Sequence, residues 1–129
     1  MPKNIDIRVV VPGSVDVKQV DTTNFESTYN IIKNQVDGYL DVVAVDELDI
    51  WVDDEGLLKN LQPSILIKRS KKDELTNQDI LLVGTAVFTS HDEEGDTIGL
   101  TDNAIKIIEE MKPAIIGMKP VLLLERYID

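Results

Sequence analysis

The side chains best able to bind a metal ion lie in two acidic segments. The first, IWVDDEGLLKNLQPS at residues 50–64, has three consecutive acids from Asp53 onward. The second, HDEEGD at residues 91–96, has three consecutive acids from Asp92 and a fourth at Asp96. An EF-hand needs oxygen ligands at the first, third and fifth loop positions, then glycine at the sixth and glutamate at the twelfth. In a loop that starts at Asp53, the fifth position is Leu57, and in one that starts at Asp92, the sixth is Thr97. We therefore predict no metal site.

The residues that usually carry catalysis are scarce. The chain has no cysteine and one histidine, His91, which excludes thiolate nucleophiles and cysteine-ligated zinc. We expect His91 to cap its charged turn. Asp53 and Asp54 end a strand and are expected to face solvent, where their pKa values would not separate as an acid–base pair requires. The DDEG sequence instead indicates a turn with local aspartate hydrogen bonds and a positive φ at Gly56. We predict a non-enzymatic protein without a cofactor.

Basic residues and the single tryptophan form the candidate ligand-binding set. The basic residues are Lys68, Arg69, Lys71 and Lys72, in a chain of opposite net charge. They could hold a phosphate or an acidic surface, and Trp51 could stack on a base. The simpler interpretations are a solvated, mobile loop over residues 68–79 and a tryptophan covered by another segment.

The net charge limits the partners. It is −11, which repels a phosphate backbone and disfavours direct binding to a nucleic-acid duplex. A positively charged protein surface is favoured, although solubility alone also explains the charge. No apolar run approaches the roughly 18 residues of a membrane span, and the N-terminus lacks a secretory signal. We therefore expect no membrane association and a cytoplasmic location.

Apolar periodicity places the elements that carry these residues. Alternation over residues 5–11 predicts a strand, and two more, 39–45 and 48–52, flank a tight Asp46-Glu47 link. A capping box at Thr23 starts a helix that ends at Asp37-Gly38, with Tyr29 on its apolar face. Residues 80–90 predict one strand, in which Gly84 indicates a bulge or a close approach of another segment. Thr101 caps a second helix, which Pro113 stops.

This order predicts an α+β fold. We expect two layers, a mainly antiparallel sheet of four to six strands and two helices packed on one face. Residues 1–112 would form a single domain. The apolar tail, residues 113–129, would pack on the domain or on another subunit, which would make a homo-oligomer.

Several of these segments resemble a known family. The stretch VDGYLDVVAVDELDIWVDDEGLLKNLQPS, followed by ILLVGTAVFTSHDEEGDTIGLTD, is similar to the domain-of-unknown-function 3846 family of small phage, plasmid and mobile-element proteins. Order and spacing match over about residues 5–111. The match departs from the pattern at Ser64, because the family tends to place asparagine shortly after the preceding proline. The family has no established catalytic residues, and the resemblance implies a mobile genetic element in a bacterial cell as the source.

Two functions follow as hypotheses. The first is a non-enzymatic accessory protein of a bacteriophage or mobile genetic element that binds a host or viral protein. The alternative is a protein that binds a small nucleotide or signalling molecule and so counteracts a host defence, for which the basic run and Trp51 would form the site.

Overall fold

The computed structural model describes residues 5–23, 25–71 and 78–128. The chain forms two helices and ten strands in these ranges. In chain order they are β1 (Arg8–Val10), β2 (Lys18–Gln19), α1 (Thr28–Val36), β3 (Leu40–Val45), β4 (Leu48–Asp53), β5 (Pro63–Lys71), β6 (Gln78–Val83), β7 (Ala86–His91), β8 (Thr97–Ile98), α2 (Asp102–Glu109), β9 (Lys112–Ile116) and β10 (Lys119–Ile128). Neither helix found there is long and apolar enough to cross a membrane.

The strands form two sheets. The first has six strands, in the order β2-β1-β7-β4-β3 with β8 paired to β7, and the second has four, in the order β6-β5-β10-β9. Among the described residues only β5 and β10 pair in parallel, and the other pairs are antiparallel. The predicted α+β fold with two helices and mainly antiparallel pairing is therefore confirmed.

The two helices pack on opposite faces of the first sheet. Ile50 of β4 and Phe88 of β7 lie in a large apolar cluster with α2 and the second sheet. Their sequence neighbours Trp51 and Val87 lie in a smaller cluster with Ile32 of α1. This layering differs from the expected pair of helices on one face. Because β4 and β7 carry apolar side chains on both faces, each face needs its own cover.

The chain crosses from the second sheet to the first at Gly84. The segment predicted as one strand is two, β6 and β7, which belong to different sheets. Gly84 has a φ of 81°, a left-handed conformation that glycine adopts without steric cost. A change of sheet therefore stands where a bulge was one expectation. The other expectation, a close approach, is confirmed, because a Cβ on Gly84 would lie 2.8 Å from the side chain of Leu61.

Helix α1 begins later than the capping pattern predicted. Ser27 is its N-cap, and the hydroxyl accepts the backbone N–H of Asn30 at 3.1 Å. Thr23 was the wrong cap, because its amide and hydroxyl both donate to the carboxylate of Asp21. The helix ends on Asp37, whose φ is 55°. Tyr29, predicted on the apolar face, is exposed.

Helix α2 follows its prediction. The hydroxyl of Thr101 accepts the backbone N–H of Ala104 at 3.2 Å, so Thr101 is the N-cap. The same hydroxyl donates to Glu47 at 2.6 Å, which ties the helix start to the β3–β4 turn. That turn also forms as predicted, with Asp46 in a left-handed conformation.

The C-terminal segment completes the second sheet. Strands β9 and β10 form a hairpin, and β10 lies parallel to β5 with Leu122 beside Ile65. Leu122 and Leu124 are buried in the same cluster as β4. The division of the chain near residue 112 and the docking on another subunit stay predictions.

Candidate functional site

A cleft of about 680 Å³ lies where the ends of several elements meet. Gln35 and Asp37 come from the end of α1, Lys59 and Gln62 from the connection after β4, and Thr85 from the crossing between the sheets. Val36, Leu61 and Pro12 add apolar wall. The acidic segment at residues 50–64 therefore forms one side of this cleft, which we call the Asp53 cleft.

Asp53 is a buried anion held by a lysine. Its side chain is 3% exposed, and its Oδ2 lies 2.7 Å from Nζ of Lys59, which is 43% exposed. Its Oδ1 accepts the backbone N–H of Glu55 at 2.9 Å. The hydrogen bond from Lys59 is the main cause that holds the pKa of Asp53 below its ordinary value, and burial opposes it. The expectation that Asp53 faces solvent was wrong, because α1 ends against it.

Two glycines make this close packing possible. A Cβ on Gly38 would lie 2.3 Å from Oδ2 of Asp53, and one on Gly56 would lie 2.7 Å from a methyl group of Val83. Contacts this short do not occur between real side chains, so both positions require glycine for space. The local hydrogen bond of Asp53 is confirmed. The positive φ expected at Gly56 is wrong, since its φ lies outside the left-handed region.

The depressed pKa of Asp53 predicts a dependence of stability on pH. A carboxyl whose pKa is lower in the folded state contributes stability above its unfolded pKa and loses it as pH falls through the folded value. Asp21 and Glu47 also have lowered pKa values, from hydrogen bonds with Thr23 and Thr101 respectively. Urea unfolding of Asp53→Asn should therefore give a free energy that falls less steeply below about pH 4 than that of the wild type. If the unfolding free energies of the wild type and the variant fell equally with pH, this account of Asp53 would be contradicted.

Four large apolar side chains are exposed on segments that line the cleft or adjoin its lining residues in sequence. Leu57 and Leu58 are 75% and 82% exposed, and Tyr29 and Tyr39 are also exposed. We call these four residues the apolar margin.

Contacts place the apolar margin at one end of the molecule. Tyr29 and Lys33 share a helix face, and Nζ of Lys33 lies 5.2 Å from the ring centre of Tyr39. The carbonyl of Tyr39 accepts the backbone N–H of Asp54 at 2.7 Å. Asp54 opens the turn that carries both leucines. The margin therefore runs from the first turn of α1, past Lys33, to the start of β3 and the turn after β4.

The family comparison covers the whole of this region. The family model described as Domain of unknown function (DUF3846) matches residues 5–112. The chain belongs to the DUF3846 family. It matches none of the curated proteins and none of the solved structures with which it was compared. The residues of the apolar margin and of the Asp53 cleft all lie within the matched range, and so within the DUF3846 domain of this chain.

The ligand-binding set predicted from sequence is divided between the two sheets of this DUF3846 protein. Trp51 is half-buried beside α1, and its Nε1 donates to Oγ1 of Thr89 at 2.9 Å. Lys68, Arg69 and Lys71 lie on β5, within a strand and not the expected loop, because β6 and β10 pair with it on both sides. Lys68 is exposed, and Lys72 lies outside the described residues. The structure therefore does not bring Trp51 together with Lys68.

His91 contacts a buried acid. Its Nδ1 lies 3.0 Å and 3.1 Å from the two carboxylate oxygens of Asp49. The expectation that His91 caps the acidic turn was wrong, because Oδ1 of Asp92 accepts the backbone N–H groups of Glu94 and Asp96. Sequence alternation could have found the His91 contact, because Asp49 and His91 lie on the same face of neighbouring strands.

The acidic turn gathers three carboxylates. Oxygen atoms of Asp92, Glu94 and Asp96 lie within 4.8 Å of one another. The groups are at the surface, and backbone N–H groups already engage Asp92. Exposed acids approach one another this closely without an ion, so we assign no ligand to the turn.

Proposed function

We propose that this protein is a non-enzymatic accessory protein of a bacteriophage or mobile genetic element, and that it acts in the bacterial cytoplasm by binding a host or viral protein. The apolar margin carries the proposal. Large apolar side chains that are exposed on neighbouring segments, with charged groups around them, are typical of protein interaction sites. Tyrosine is also enriched among the residues that dominate binding energy.

The charge around the apolar margin favours a basic partner. Asp37, Asp41 and Asp54 are exposed near it. The nearby lysines are engaged within the protein, because Lys33 donates to the carbonyl of Gly38 and Lys59 binds Asp53. The rim therefore presents carboxylates to an incoming surface. Complementary charge of this kind raises the association rate and selects the partner.

The state of Asp53 supports a binding role over an acid–base role. Lys59 holds the carboxylate at 2.7 Å and lowers its pKa. A general acid at neutral pH needs a pKa raised towards 7. Asp53 is shifted in the opposite direction and serves to hold the turn that carries Leu57 and Leu58.

Affinity capture tests the proposal. The tagged full chain is incubated with lysate of a bacterial host, and retained proteins are compared with those retained by a Leu57→Ser, Leu58→Ser variant. We expect at least one protein with a basic surface to be retained by the wild type and lost from the variant. Retention of identical sets would refute binding through the apolar margin. The origin in a mobile element is tested separately by the genes that neighbour this one.

The size of the Asp53 cleft favours a second candidate, the binding of a small nucleotide or signalling molecule. Its volume of about 680 Å³ lies within the range of ligand pockets, and Gln35, Gln62 and Thr85 offer polar groups beside apolar wall. Thermal unfolding with a panel of nucleotides distinguishes the two functions. A ligand at a hundredfold excess over its Kd should add about 2.7 kcal/mol to the free energy of unfolding. No shift with any nucleotide would reject this candidate.

A further inference from the structure

Strand β10 continues beyond the strand that covers one of its edges. It pairs with β5 from Leu122 to Ile128, but with β9 only up to Leu123. At residues 124–128 no strand of the described chain lies on the β9 side. A strand edge of this kind presents main-chain N–H and C=O groups that another segment can pair with.

A groove of about 570 Å³ lies beside this edge. Glu110 and Lys112 line it where α2 passes into β9, and Leu123, Glu125 and Arg126 line it from β10. The side chain of Arg126 forms one wall of the groove, and it makes ion pairs with both Glu110 and Asp46. The groove therefore leaves space along residues 123–126 of this edge, with the paired side chain of Arg126 on one wall.

We propose that the free edge of β10 binds an extended, basic peptide segment of a partner, which adds to the second sheet as a strand. Main-chain pairing would supply affinity, and alternate side chains would supply specificity. Glu125 is exposed in the groove, and two carboxylates already engage Arg126. With Lys112 included, the charged side chains around the groove are three carboxylates and two cations, so the local balance is negative. A lysine or arginine opposite Glu125 matches this charge and the net charge of −11.

This surface is separate from the apolar margin. The β3–β4 hairpin has its turn at Asp46, which contacts Arg126 beside the groove. Its open end, where Leu40 pairs with Asp53, lies beside the margin. The proposal therefore goes beyond the proposed function, and it stands or fails independently of Leu57 and Leu58.

A displayed library of random linear peptides tests the groove. We expect the full chain to enrich peptides that contain lysine or arginine within an extended segment. Glu125→Lys should weaken their binding by about tenfold or more. The matched control Glu94→Lys makes the same charge change in the exposed β7–β8 turn and should leave binding within about twofold. The Leu57→Ser, Leu58→Ser variant should bind these peptides normally.

Hydrogen exchange of the peptide complex supplies the second readout. Bound peptide should slow the exchange of the amides within residues 124–128 that face away from β5, because strand addition gives those amides hydrogen-bond partners. Failure to enrich any peptide, equal weakening by Glu125→Lys and Glu94→Lys, or unchanged exchange at residues 124–128 would each overturn the proposal. Loss of peptide binding in the leucine variant would assign the peptides to the apolar margin and also overturn it.

Discussion

Replacement of Leu57 and Leu58 by serine is expected to weaken binding of the captured partner by tenfold to a hundredfold without destabilising the protein. The two side chains are 75% and 82% exposed, so folding buries little of their surface. Association would bury both. Truncation of an apolar anchor at the centre of an interface typically costs about 1 kcal/mol or more, and each 1.4 kcal/mol is about tenfold in Kd. Calorimetric titration of the purified pair measures the loss.

Ile115→Ser is the matched control for this variant. Ile115 is also 75% exposed, but it lies on β9 in the second sheet, away from the apolar margin. The control should bind the partner with wild-type affinity, and thermal unfolding of all three proteins should agree closely. If Ile115→Ser weakened binding as much as the leucine variant, general surface hydrophobicity would explain the interaction and the margin would not.

Gly38→Ala is expected to destabilise the protein by about 1–3 kcal/mol, the usual cost of forcing an extra carbon into a packed site. A backbone-compatible glycine-to-alanine change would otherwise stabilise by about 0.4–1 kcal/mol. The steric effect should dominate here, because the new Cβ would lie 2.3 Å from the buried carboxylate of Asp53. Equilibrium unfolding in urea at neutral pH measures the difference.

A double-mutant cycle with Asp53→Ala shows whether the carboxylate is the cause. Asp53→Ala alone should cost about 1–3 kcal/mol, because it removes the partner of Lys59 and of the Glu55 amide. In the double variant the new Cβ no longer meets the carboxylate. The combined loss should therefore be smaller than the sum by about 1 kcal/mol or more. Additive losses would contradict the close packing of Gly38 on Asp53.

Local signals predicted much of the fold. The β3–β4 hairpin was evident because alternation and a two-residue link lie next to each other in sequence. Helix α2 was evident because Thr101 and the apolar period mark its start and face. It ends at Glu109, before the predicted stop at Pro113, which lies in β9. The start of α1 was predicted wrongly, because the capping pattern indicated Thr23 alone. The competition of Asp21 for the amide of Thr23 decided in favour of Ser27.

The features of the fold that were not predicted from the sequence depend on contacts between distant residues. The separation of β6 from β7 depends on the packing of Gly84 on Leu61, and periodicity alone reads both strands as one. The parallel pairing of β10 with β5 joins Leu122 to Ile65 across much of the chain. The burial of Asp53 needs Gly38, Lys59 and the end of α1 together, whereas the sequence around Asp53 shows only an acidic turn.

Hydrogen exchange on the protein bound to its captured partner tests the binding role of the apolar margin most directly. In the turn at residues 54–60, main-chain hydrogen bonds engage the amides of residues 54, 56, 59 and 60, and Asp53 accepts the amide of Glu55. The amides of Leu57 and Leu58 donate none of these bonds and both residues are exposed, so these two amides should exchange quickly in the free protein. We predict that the partner slows exchange at residues 54–60 and at Tyr39, and leaves the β7–β8 turn unchanged. Protection confined to other surfaces, with residues 54–60 exchanging as fast as in the free protein, would contradict the proposed function.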